Sequence, residues 1–133
     1  MKLKFLFATL LFCCLSFGQS NEKITTIETV EILNDNSEEA IYYFQNNWKQ
    51  LRIKAVKKGY IHSFQFLKTT YSDETPFHLM LITTYSDKAQ YDKREAHFSE
   101  LIKEKGALKL LNEKEPSEFR KSVFVVEGAQ HLE

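Results

Sequence analysis

A chain of 133 residues is long enough for one hydrophobic core and too short for two, so a single domain is expected. Its 18 lysines and arginines are matched by 18 aspartates and glutamates, which excludes the clustered basic excess of a nucleic-acid binder. Four glycines in the whole chain leave no phosphate-binding loop, and neither a nucleophile elbow nor an HExxH sequence is present.

Residues 1–18 have the layout of a secretory signal peptide. Lys2 and Lys4 precede the apolar run Phe5 to Leu15, and Ser16-Phe17-Gly18 puts small residues three and one before the cut. The run is shorter than the roughly 20 apolar residues that cross a bilayer as a helix. The expectation is therefore an exported chain, periplasmic or extracellular, with residues 19–133 as a single domain that has no membrane span. Cys13 and Cys14 both fall in the leader, and neither follows the small residue that lipidation requires. The mature chain then has no thiol for a disulfide, a nucleophile or a thiolate metal site. Without Lys2 and Lys4 it carries 16 basic against 18 acidic residues, a net charge of −2.

Ile24 to Leu33 is rich in β-branched residues and alternates, with Ile24, Val30 and Ile32 on one side, which predicts a first strand. Asn36 and Glu39 have capping-box spacing before a helix over residues 38–58. Its apolar stripe is Ile41, Phe44, Trp48, Leu51, Ala55 and Val56, with Tyr42 and Tyr43 off the stripe and Gly59 just past the end. Lys54, Lys57 and Lys58, the densest basic group, complement the negative end of that helix.

Tyr60 to Tyr71 and Phe77 to Tyr85 read as two strands joined by Ser72-Asp73-Glu74-Thr75-Pro76. A turn centred on Glu74 sets Phe66 opposite Ile82 and Gln65 opposite Thr83. The even-numbered face, with Phe64, Phe66, Met80 and Ile82, is apolar and is assigned to the helix layer. The odd-numbered face mixes Leu67, Leu79 and Leu81 with Ser63, Gln65, Thr83 and Tyr85. A second face that is neither wet nor uniformly apolar calls for a cover, either a partner sheet or a ligand. Asp87 and Gln90 have cap spacing for a second helix that runs to about Lys105 and stops at Gly106. Ala107 to Asn112 is expected to add a helical turn, broken by Glu115-Pro116-Ser117, and Lys121 to Glu127 reads as a last strand buried on both faces.

Strand, helix, strand, strand, helix, strand gives an α+β, ferredoxin-like βαββαβ fold: an antiparallel sheet with both helices on one face. Lys58-Gly59-Tyr60-Ile61 closing the first helix, the long hairpin, and Tyr85-Ser86-Asp87 leading into a helix with His97-Phe98 form a pattern that resembles the dimeric α/β-barrel superfamily. Antibiotic-biosynthesis-monooxygenase-like and NIPSNAP-like domains are nearest in pattern. The resemblance covers most of residues 24–127 and implies a homodimer whose open sheet faces meet around a small molecule. It also implies a role for His97 as acid, base or haem ligand. Some relatives degrade haem with an asparagine, tryptophan and histidine set, an arrangement that Trp48 on the first helix does not match.

Within such a barrel the odd face offers Ser63, Gln65, Thr83 and Tyr85 as ligand-binding groups among leucines. The candidates for catalysis are His97 and Tyr85, and no complete catalytic set is recognisable. In this register His62 and His78 lie eight residues apart along the hairpin, too far to share a metal, and neither a metal nor an organic cofactor is called for. Three readings stay open: a binder of a small apolar or aromatic ligand, a cofactor-independent monooxygenase-like enzyme, and a non-catalytic dimerising domain.

Overall fold

The strand-forming run near the start of the chain becomes β1 (Ile24–Ile32), an inner strand, and the sheet grows outward on both of its sides. β3 (Leu79–Tyr85) pairs with β1 and with β2 (Ser63–Lys68), and β4 (Arg120–Gln130) pairs with the other side of β1. The order β2-β3-β1-β4, antiparallel throughout, is that of a ferredoxin-like α+β fold. The computed structural model describes residues 22–132, so the signal peptide expected at 1–18 lies outside the described residues.

The first helical segment is continuous from α1 (Ser37–Tyr43) through a π-helical turn (Phe44–Trp48) into α2 (Lys49–Lys57). Gly59, at φ +71°, ends it, with the Tyr60 amide donating back to the Ala55 carbonyl. The π turn shifts the phase of the helix, so Tyr43, outside the predicted stripe, packs in the core against Phe44 and Phe119 at 5.1 and 5.4 Å between ring centroids. After β3 come α3 (Lys88–Asp92) and α4 (Arg94–Lys105), and α5 (Pro116–Phe119) precedes β4. Asp87 caps α3 as its spacing suggests, accepting from the Gln90 amide at 2.7 Å.

Two apolar clusters fill the space between helices and sheet. Val30, Phe44, Leu79 and Leu81 form one, backed by Trp48 and Phe66. Leu51, Ala55, Ile61, Tyr85 and Leu101 form the other, backed by Phe64 and Phe98.

The hairpin pairs one residue out of the expected register. Phe64 stands opposite Thr83, Gln65 opposite Ile82 and Phe66 opposite Leu81. The cause is the turn: Ser72 and Thr75 pair through backbone and hydroxyl contacts, which centres the reversal between Asp73 and Glu74. A slip of one residue exchanges the faces of a whole strand. Phe64 and Phe66 do face the helices, but the β3 residues beside them are Leu79, Leu81, Thr83 and Tyr85. Met80 and Ile82 lie instead on the open face with Ser63 and Gln65.

Three further expectations are corrected. β4 is not buried on both faces but forms the sheet edge, with Phe124, Val125 and Val126 exposed at 56%, 60% and 47%. Residues 107–112 form no helix, and Pro116 opens α5 rather than breaking a helix, because its missing N–H falls where a first helical turn has no acceptor. Asn36 and Glu39 do not close a capping box. The Asn36 side chain donates to the Glu118 carbonyl and accepts from Lys114, while Glu39 pairs with Lys114 at 3.4 Å and accepts from Asn112. Both residues thus tether the segment that leads into α5.

Candidate functional site

A cleft of about 320 Å³ lies between the helices and the β1–β4 half of the sheet and opens to solvent beside Val125, Glu127 and Ile102. Its volume falls within the range of small-molecule sites, about 300–1,000 Å³. The floor comes from helix-facing positions of the strands: Thr26 and Glu28 of β1, Leu81, Thr83 and Tyr85 of β3, Val125 and Glu127 of β4. Trp48 and Arg52 form one wall, and Arg94, Glu95, Phe98 and Ile102 of α4 form the other.

The π turn sets that first wall. Side-chain amides of Asn46, Asn47 and Gln50 donate to the carbonyls of Tyr42, Tyr43 and Gln45, which supports the widened turn from outside. Asn47 also binds the backbone of Lys109 through both its carbonyl oxygen and its amide nitrogen, and receives the Lys105 ammonium at 2.6 Å. One residue therefore fixes the π turn to the end of α4. Such turns recur where a helix lines a functional site.

Arg52 is the chemical centre of the cavity. Its guanidinium carbon lies 4.5 Å from the centroid of Trp48 and 4.2 Å from that of Phe98, held between two aromatic faces. Nε donates to Thr83 Oγ1 at 3.3 Å, which fixes the guanidinium against β3. Desolvation pulls its pKa down to about 10, against the attraction of Tyr85 and Glu28, so it stays cationic at neutral pH. Burial likewise raises the Tyr85 phenol, an effect that Arg52 and Arg94 oppose. At the mouth, Arg94 lies 3.9 Å over the Tyr91 ring and reaches the exposed Glu127 at 3.8 Å. Glu28 lines the cavity and attracts Arg52 through space, without a direct ion pair among the described residues. A positive fork flanked by aromatic rings and faced by a carboxylate suits a planar molecule with an acidic or acceptor oxygen.

The four residues expected to share one face divide two and two. Thr83 and Tyr85 line the inner cavity, whereas Ser63 and Gln65 border a shallow depression of about 480 Å³ on the open sheet face, with His62, Thr84 and His131. There Thr25 Oγ1 contacts Thr84 Oγ1 at 3.0 Å and His131 Nε2 at 2.6 Å. His97 does not join Tyr85. It stacks on Tyr60 at 3.7 Å on the other side of α4, with its Nδ1 buried and unpartnered, and does not line the cavity. His78 Nδ1 accepts the Ile32 amide at 2.9 Å, a structural bond between β1 and the hairpin loop.

Glu28 and Arg52 line the cavity without belonging to the expected set, although the sequence holds a signal for one. Glu28 shares parity with Ile24, Val30 and Ile32, which puts a carboxylate on the inward face of a strand. Arg52 sits one turn after Trp48 and has no such mark.

No protein-family model matches the chain, and no curated protein matches it. Among solved structures it is similar to HapK from Hahella chejuensis, at 14% identity and a TM-score of 0.48, over 81% of this chain and 92% of that one. It is also similar to a candidate antibiotic biosynthesis monooxygenase from Bacteriodes thetaiotaomicron VPI-5482, at 18% identity and a TM-score of 0.35, over 70% of this chain and 89% of that one.

Proposed function

We propose that this protein binds a small planar aromatic molecule bearing a hydroxyl or carbonyl oxygen, in the cavity between α4 and the sheet. One observation carries the reading: Arg52, anchored on Thr83 through Nε, is held between Trp48 and Phe98 at the wall of a ligand-sized space. The rings give a flat slot and the guanidinium gives it one polar anchor. Trp48 is the only tryptophan in the chain, so its fluorescence reports occupancy directly. Titration with a panel of phenols, naphthols and quinones should quench it saturably, and Arg52→Met should weaken the best binder at least tenfold. A flat response to the whole panel would overturn the reading.

A monooxygenase-like activity is the second reading, favoured by Glu28 and Tyr85 lining the same space as Arg52. In it a phenolic ligand gives its proton to the Glu28 carboxylate and its oxyanion rests on Arg52, which leaves an electron-rich ring for oxygen. Substrate-dependent oxygen uptake that falls in Glu28→Gln and persists in His97→Ala would support it; no uptake with any bound phenol would remove it.

The working unit in this proposal is a homodimer formed through the open sheet face, where Ile27, Ile82, Phe124 and Val126 supply apolar surface. Native mass spectrometry that finds only monomer at micromolar concentration would exclude that assembly, and with it the reading as a dimerising interaction domain. Export rests on the leader pattern of residues 1–18, and cleavage after Gly18 in the secreted fraction is its test.

A further inference from the structure

A second, smaller space of about 210 Å³ adjoins the cavity and shares Glu28, Trp48 and Ile102 with it. That volume is below the range of a whole small-molecule site and fits a substituent of a ligand seated next door. Its walls are largely apolar, with Tyr43, Phe44 and Leu108 among them, and its polar corner is Arg120, the first residue of β4.

Arg120 repeats the setting of Arg52. Its guanidinium carbon stands 5.4 Å from the centroid of Tyr43 and 5.8 Å from that of Phe44. Nε is fully shielded and has no hydrogen-bond partner, and among the described residues the guanidinium forms no ion pair. Aromatic faces attract a cation but accept no directed hydrogen bond of the strength a guanidinium N–H makes to oxygen. The other cation here, Lys105, is already engaged by Asn47 Oδ1 at 2.6 Å and the Ala107 carbonyl at 3.3 Å. Glu28 is the one carboxylate lining this space, so two cations outnumber it. A half-buried guanidinium with a shielded, unpartnered Nε and a positive excess around it is complementary to an oxyanion.

We propose that this second lobe is a carboxylate subsite, so that the cavity's ligand is an aromatic acid: a ring in the first lobe against Arg52, and a carboxylate on a short arm reaching Arg120. The proposal rests on the aromatic-binding reading of the first lobe and narrows its ligand class. The two guanidinium groups then read two features of one molecule, with Glu28 at the boundary between the lobes.

The test compares 2-naphthol with 3-(6-hydroxynaphthalen-2-yl)propanoate by Trp48 fluorescence on the full chain. The acid should bind about tenfold or more tightly, as expected for a charge-assisted bidentate bond. Arg120→Leu should abolish that advantage and leave naphthol unchanged, whereas Arg52→Met should weaken both. Where the leucine variant does not fold, Arg120→Lys keeps the charge and loses the fork, and part of the acid's advantage should go. Naphthol binding with no advantage for the acid, or an advantage that survives at Arg120, overturns the subsite and leaves the cavity reading intact. Binding of neither compound to the unaltered protein overturns both.

Discussion

Along the helix-facing side of β3, Leu79 and Leu81 belong to one apolar cluster and Tyr85 to the other, and Thr83 between them receives Arg52. Thr83 thus interrupts a row of core residues on a single strand, and Leu81 and Tyr85 on either side of it face both core and cavity. The clusters gain by excluding water from hydrocarbon, while Thr83 holds a guanidinium that packing alone would not select. Stability and binding are therefore separable by substitution, even though the residues concerned are neighbours.

The largest contrast is expected at Phe119, which is completely buried beside Tyr43. Phe119→Ala should cost about 3–5 kcal/mol in urea unfolding, the range for emptying a packed aromatic site. Arg52→Met reverses the pattern: ligand affinity falls at least tenfold while the unfolding free energy stays within about 1 kcal/mol, because a desolvated charge is exchanged for hydrocarbon of similar volume. A large loss of stability in that variant would mean that Arg52 belongs to the core. Gly59→Ala touches neither region. No heavy atom lies within 4 Å of the added Cβ, so only the left-handed backbone resists it, at about 1 kcal/mol.

The smallest effect is at the outer side of α4. Lys58, at the end of α2, reaches Glu100 and Glu104 at 2.9 Å each, and Tyr60 donates to Glu100 at 2.9 Å. Hydrogen bonds from Lys58 and then Tyr60 hold the Glu100 carboxyl below its usual range, and bonds to Glu100 and Glu104 raise Lys58 above its own. The Glu100 contribution is present above the ordinary carboxylate pKa and fades as pH falls through the lowered one. The Lys58 contribution is complete below the ordinary lysine pKa and fades as pH rises through the raised one. The stability difference between the unaltered protein and Lys58→Met should thus be flat near neutrality and shrink on acidification below about pH 4, and it should be small because these groups are exposed. A difference that grows in acid would contradict the assignment.

The strand and helix order was legible because it rests on periodicity: β-branched alternation at 24–32, three- and four-residue apolar steps through 41–55, and the Asp87 cap. Register was not, since the Ser72 to Pro76 turn has no glycine to pin its centre, and half a residue of error there sends Thr83 and Tyr85 to the opposite face. The candidate site was half visible for the same reason. Tyr85 and Thr83 line the cavity, but for a different face than the one expected, and Ser63 and Gln65 stand outside it. β4 misled because four consecutive apolar residues read as a buried strand, whereas at a sheet edge they are surface.

A π turn contains one residue more than the α turn it replaces, so the segment Phe44–Trp48 amounts to an insertion that the helix has absorbed. Deleting one residue there would restore the α-helix and rotate one part of it against the other by about 100°. The stacked arginine would then turn away from the sheet, and Leu51 and Ala55 would leave their core cluster with it. The absorbed residue therefore sets the phase of the slot and of half the core together.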